Sequence, residues 1–162
     1  MDVNKTLIDK LYDSSDINDE EIKLLLEADD SINEYLLKKA DSKRQSIYGK
    51  AVFLRGLIEF TNHCKNNCYY CGIRSGNRKL DRYRLTKDEI LECCKEGYDL
   101  GYRTFVLQGG EYPYFTDEYI CDIVSAIHFL FPDCVITLSI EKEKSSYQVF
   151  FDAGGKEISA SP

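Results

Sequence analysis

Thr104-Phe105-Val106-Leu107-Gln108-Gly109-Gly110 is a short apolar run closed by two glycines. Its length and its aromatic and β-branched content suit a buried strand, and the glycines suit the strand's end. Upstream, Thr86 and Glu89 form a capping box that opens a helix ending near Gly101. Further back, residues 51–60 (Ala51-Val52-Phe53-Leu54-Arg55-Gly56-Leu57-Ile58-Glu59-Phe60) are rich in strand formers. They run into a polar, cysteine-bearing loop that lasts to about Lys79. Downstream, Thr116 caps another helix, in which Ile120, Ile123, Val124, Ile127 and Phe131 make one apolar stripe before Pro132 stops it. Val135-Ile136-Thr137-Leu138-Ser139-Ile140 is a further strand, and residues 145–153 a further helix. The order β-α-β-α-β-α predicts an α/β fold with a parallel sheet and right-handed crossovers, about three units of a (β/α) barrel of the TIM type. Three units cannot close such a barrel. The sheet would keep an unpaired edge and an open face, so the pattern predicts part of something larger.

The first fifty residues read as helical. Ile22, Leu25 and Leu26 recur at helical spacing, and Ser31 with Glu34 forms a capping box for a second helix through Leu36 and Leu37, with Asp29-Asp30 as the connection. A chain of 162 residues suffices for one domain or slightly more, and 43% hydrophobic with 30% charged residues is the balance of a soluble globular protein. A net charge of −7 counts against a nucleic-acid backbone or an anionic membrane as partner. Met1-Asp2-Val3-Asn4-Lys5 opens no signal peptide, and the apolar run 51–60, interrupted by Arg55 and Glu59, is too short to span a bilayer. These readings place the protein in the cytoplasm.

Seven cysteines are the outlier. An odd number without a secretory signal fits a disulfide framework poorly. Cys64, Cys68 and Cys71 lie in Asn62-His63-Cys64-Lys65-Asn66-Asn67-Cys68-Tyr69-Tyr70-Cys71-Gly72, spaced C-x3-C-x2-C in the loop after the first strand. Loops at the carboxyl ends of strands are where α/β barrels build active sites. Three thiolates on one short loop suit three irons of a cubane cluster, leaving the fourth iron open to a small molecule. A zinc site asks for a fourth ligand, and His63, adjacent to Cys64, is awkwardly placed to give it. Unligated loop thiols are the third reading. Cys93 and Cys94 are neighbours on a helix and point about 100° apart, so they do not chelate as a spaced pair. With Cys121 and Cys134 they read as packing residues, and His128 as structural or exposed.

Cys64-x3-Cys68-x2-Cys71, with Tyr70 before the third cysteine, resembles the signature of radical S-adenosylmethionine (SAM) enzymes. Cys71-Gly72-Ile73-Arg74, Gly76-Asn77, Arg82-Tyr83-Arg84-Leu85-Thr86 and Leu107-Gln108-Gly109-Gly110-Glu111 resemble the biotin synthase-like branch, and within it the HydE-type maturases of [FeFe]-hydrogenase. Methylornithine synthase shares much of the pattern, and biotin synthase is more distant. The likeness implies the first half of a radical SAM barrel over residues 51–154, behind an N-terminal helical segment over residues 1–50. It implies a [4Fe-4S] cluster on Cys64, Cys68 and Cys71, and SAM, whose reductive cleavage yields methionine and a 5′-deoxyadenosyl radical. By the same likeness Gly109 and Gly110 approach the amino group of SAM, Tyr70 packs near its adenine, Ser139 faces the barrel cavity, and Gln108 and Glu111 line the rim. Arg82 and Arg84 read as charges on the surface or at the start of a helix. The implied partners are a small-molecule substrate, an external electron donor and other hydrogenase maturation proteins. The implied role is assembly of the hydrogenase active site. Methylornithine synthase- or biotin synthase-like chemistry, and a cluster-binding fragment without catalysis, stand beside it.

Three departures from the resemblance stand out. Tyr112 occupies the place of an acidic residue before Pro113, and Glu141-Lys142-Glu143-Lys144 follows Ser139-Ile140 where glycine and glutamate are expected. After Phe150-Phe151-Asp152-Ala153-Gly154 the likeness stops, so residues 155–162 are expected to be a divergent tail left by truncation or a frameshift.

Overall fold

A computed structural model describes residues 3–14, 16–140 and 144–158. It divides into two compact units, Met1–Phe53 and Leu54–Pro162. The first is helical: α1 Val3–Ser14, α2 Asp19–Leu26 and α3 Asp30–Tyr48. Asn18 and Glu21 cap α2 reciprocally, a capping box the periodicity alone did not reveal. The cap of α3 is Asp29, whose carboxylate accepts from the Ser31 and Ile32 amides, not Ser31 as expected. An aspartate two residues earlier competes better for those amides because its charge also favours the positive end of the helix.

The second unit is an open parallel sheet in the order β1-β2-β3-β4, formed by β1 Gly56–Thr61, β2 Thr104–Gly109, β3 Val135–Ser139 and β4 Glu157–Ile158. Helices α4 Lys87–Asp99, α5 Asp117–Leu130 and α6 Lys144–Asp152 connect successive strands. Strands that follow one another in sequence are neighbours in the sheet and parallel, the winding of a (β/α) barrel. The fold is therefore a partial α/β barrel. Thr86 with Glu89 and Thr116 cap α4 and α5 as their sequences predict.

Two boundaries differ from expectation. Residues 51–55 are not strand: β1 starts at Gly56, whose register partner is Phe105, and among the described residues no strand pairs with the residues before it. At the other end, Glu157–Ile158, within the expected divergent tail, pairs with Thr137 and Leu138 and adds a fourth strand to the three predicted. Two residues carry no strand signature of their own, so pairing with β3 is what makes them one. Residues 141–143 and 159–162, which hold most of the Glu141–Lys144 departure and the end of the tail, lie outside the described residues.

The core sits between the sheet and its helices. Ile58 and Phe60 of β1, Phe105 and Leu107 of β2, and Ile136 and Leu138 of β3 pack against Ile90 and Cys94 of α4 and the Ile120, Ile123, Val124, Ile127 stripe of α5. Cys94 and Cys134 are buried here and Cys121 sits at the margin, but Cys93 is exposed rather than packed. The strand residues between these point to the opposite face.

Candidate functional site

At its carboxyl end β1 runs directly into the cysteine loop. Asn62 is buried and organises the turn: its side-chain NH2 donates to the Asp81 carbonyl at 2.7 Å and its Oδ1 accepts from the Tyr83 amide at 2.8 Å. Thr61 Oγ1 donates to the Tyr83 carbonyl and accepts from the His63 amide. Residues 83–85 thus lie along the outer edge of β1 and return the loop to the strand from which it left.

Arg82 is the residue whose role the sequence reading missed. It is not a surface charge. Its guanidinium is half-buried and donates to four backbone carbonyls: Nη1 to Asn62 and to Ile73 at 2.7 Å, Nη2 to Arg74 at 2.7 Å and to Asn77 at 3.3 Å. One rigid fork therefore gathers carbonyls from both ends of the loop that carries Cys64, Cys68 and Cys71. Internal turns finish the loop: the Cys71 amide donates to the Cys68 carbonyl, the Arg74 amide to Cys71 and the Ser75 amide to Asn66. Arg84, read with Arg82 as a surface charge, lies 4.1 Å from the ring centroid of Tyr114 and donates to the Tyr112 hydroxyl. Tyr112, the departure from the resemblance, stacks on His63 at 4.6 Å.

The loop after β2 closes against the first cysteine. Glu111 accepts from Lys65 Nζ at 2.9 Å and from Asn66 Nδ2 at 2.6 Å, and its carbonyl accepts from the Lys65 amide. Glu111 thus braces the cysteine loop rather than standing free on a rim. A Cβ on Gly110 would fall 2.4 Å from the His63 carbonyl oxygen and 2.7 Å from Cys64 Cβ, so only glycine permits this approach. Gly109 is hemmed in similarly by Phe60 and Thr61. Cys64 and Cys71 are half-buried and Cys68 is exposed, with Tyr69 and Tyr70 exposed beside it. Gln108 is exposed on the open face and Ser139, half-buried, ends β3 beside it. The structure thus brings the three cysteines, Gly109, Gly110, Glu111, Gln108 and Ser139 to one end of the sheet. Burial, with a smaller contribution from the Glu59 charge, pushes the Tyr83 phenol up.

The donor set bears on what the loop holds. Among the described residues no three His, Cys, Asp or Glu side chains converge on one ion-sized position. Three thiols on one loop, clamped from both ends by Arg82, supply one ligand to each of three irons of a cubane and leave the fourth iron open.

The sequence pattern of the radical SAM superfamily matches residues 58–153. The [FeFe] hydrogenase maturase subunit HydE of Thermotoga maritima is 41% identical over 127 residues, which are 78% of this chain and 36% of that one. The 3-methylornithine synthase of Methanosarcina barkeri is 33% identical over 119 residues, 73% of this chain and 34% of the relative. The crystal structure of methylornithine synthase (PylB) superposes with a TM-score of 0.83 at 26% identity, covering 95% of this chain and 46% of that chain. This chain belongs to the radical SAM superfamily, whose members in general use a [4Fe-4S] cluster and SAM. It spans about a third of the length of the curated relatives it matches. Among the described residues no helix is long and apolar enough to cross a membrane.

Proposed function

We propose that this chain carries the cluster- and SAM-binding half of a radical SAM enzyme that acts in maturation of the [FeFe]-hydrogenase active site. The observation that carries it is the C-x3-C-x2-C loop, held at the carboxyl end of β1 by Arg82 and closed by the Gly109-Gly110-Glu111 turn of β2, in a chain 41% identical to a hydrogenase maturase subunit. In this reading residues 1–50 are an N-terminal helical segment and residues 51–154 the first half of the barrel. Cys64, Cys68 and Cys71 hold three irons. When bound, the cluster and SAM supply an electron-driven cleavage that generates a carbon radical for hydrogen abstraction.

The chain's own residues bind and orient. Gly109 and Gly110 bring backbone groups close to the cluster loop, where an amino-acid moiety finds donors and acceptors without a side chain in the way. Glu111, tied to Lys65 and Asn66, fixes the spacing of the β1 and β2 loops. Gln108 and Ser139 offer polar groups to the ligand, Tyr70 a ring for the adenine, and an external electron donor reaches the loop at its exposed Cys68 side. A second reading, methylornithine synthase-like chemistry, is favoured by the superposition on that enzyme at a TM-score of 0.83.

Anaerobic reconstitution with iron and sulfide, followed by electron paramagnetic resonance of the reduced protein with and without SAM, tests the proposal. A cubane signal that shifts on adding SAM is expected, together with 5′-deoxyadenosine under reducing conditions. A cluster indifferent to SAM reduces the chain to a cluster-binding fragment, and no cluster at all refutes the reading.

A further inference from the structure

Register places side chains of different strands in rows. Glu59 pairs with Gln108, and Gln108 with Ser139, so these three stand side by side on the face away from the helices. One layer nearer the amino ends of the strands, Leu57, Val106 and Thr137 stand in the same way. The upper row is a carboxylate, an amide and a hydroxyl, and the layer beneath it is largely apolar.

None of the three upper side chains makes a hydrogen bond or ion pair with any described residue. This differs from the rest of the strand ends, where Thr61, Asn62, Arg82 and Glu111 are all engaged. Glu59 also lines a cavity with Thr61, Asn62, Ile73, Tyr83 and Gln108, directly beside the cysteine loop. In a closed (β/α) barrel, parallel strands wound in this way turn this face inward. An enclosed carboxylate needs a counter-charge and hydrogen bonds. Among the described residues neither is supplied, and the row's single formal charge is negative.

We propose that the Glu59–Gln108–Ser139 row is the polar wall of a binding site for a ligand bearing an alkylammonium group. Glu59 takes the ammonium, Gln108 and Ser139 take neighbouring polar atoms, and Leu57 and Val106 pack against the alkyl chain. The inference rests on the barrel reading given above and adds Glu59 to it as a specificity-determining residue. Two ligands share the chemistry: SAM, through its own amino group, and a separate amine-bearing substrate.

The test titrates n-butylammonium and, separately, SAM into the cluster-loaded chain and its Glu59→Gln variant by calorimetry, with the spectrum of the reduced cluster recorded on every sample. Glutamine keeps the shape and removes the charge at an exposed position, so the fold is retained and circular dichroism verifies it. A drop in affinity of roughly 10-fold or more is the expected result, the size of losing one charged hydrogen bond. Loss for SAM identifies the cofactor as the occupant, and loss for n-butylammonium alone identifies a second, amine-bearing ligand. Equal affinities in both proteins, or a wild-type chain that binds neither probe, overturn the inference. If no cluster forms, the reading of the preceding section fails, and the n-butylammonium titration of the cluster-free chain still decides the role of Glu59.

Discussion

Arg82 has five N–H donors and no acceptor, and here it spends them on four carbonyls spread over residues 62–77. A lysine at the same place has one ammonium and cannot reach both sides of the loop. Arg82→Lys is therefore expected to cost about 1–3 kcal/mol, the scale of losing charged hydrogen bonds from half-buried carbonyls. It should also lower the iron bound per chain on reconstitution, while far-ultraviolet circular dichroism stays unchanged. A urea midpoint and an iron assay check both. Such a clamp leaves no trace in sequence, because its partners are main-chain carbonyls that every residue possesses. The cysteine spacing, by contrast, was legible at once because its chemistry lies in the side chains.

Cys94 makes a second prediction at this scale. It is fully buried in the core, and burial pushes its thiol from the ordinary 9.0 up to about 12. A raised value means that the folded state holds the proton after the unfolded state has released it. Its contribution to stability is therefore intact below pH 9 and is lost as pH climbs from 9 towards 12, at about 1.4 kcal/mol per pH unit. Lysines and tyrosines titrate in the same range, so the comparison is with Cys94→Ala. That variant should cost about 1 kcal/mol at pH 7 and lose stability less steeply above pH 9. Parallel slopes for the two proteins in urea melts at pH 8, 9 and 10 would refute the assignment.

Among the elements, α4 shows what a local signal fixes. Thr86 and Glu89 cap reciprocally: Glu89 Oε2 accepts from the Thr86 amide at 2.7 Å, and Thr86 Oγ1 accepts from the Glu89 amide at 3.3 Å. The interaction spans three residues, so the sequence alone reveals it, as it does the α5 stripe from Ile120 to Ile127. Thr86→Ala should destabilise the unit by about 1 kcal/mol in urea, with no change in helix content at pH 7. Thr86→Ser should restore most of that loss. Strand ends are a different matter, since a strand exists where a neighbour lies. Residues 51–55 have strand propensity but pair with no strand among the described residues, whereas Glu157–Ile158 have a partner in β3 and little propensity. The Asp29 cap was misassigned to Ser31 for a related reason: both residues suit the position, and the chain's path into α3 chooses between them.

For the whole molecule, the open sheet raises the question of what its inner face meets. Leu57 is 56% exposed on that face, Val106 beside it is only partly covered, and β4 has no neighbour on its outer side among the described residues. Residues 83–85 shield the carboxyl end of the β1 edge, with the Tyr83 hydroxyl donating to the Glu59 carbonyl, but among the described residues no strand pairs with the outer side of Gly56–Ile58. Exposed parallel edges beside apolar surface are templates for association with another sheet. The 162-residue polypeptide is therefore expected to self-associate in dilute buffer, sedimenting above its 18.7 kDa monomer mass with a concentration dependence. Leu57→Lys puts a charge on the open face without touching the core, which lies on the other side of the sheet. It should shift the distribution towards monomer and leave the urea midpoint within about 0.5 kcal/mol. If the variant and the parent sediment alike as monomers at every concentration, the inner face is already covered within the chain. If both associate equally, the contact runs through another surface, and lysine substitution at the exposed Phe129 and Leu130 of α5 would test that one.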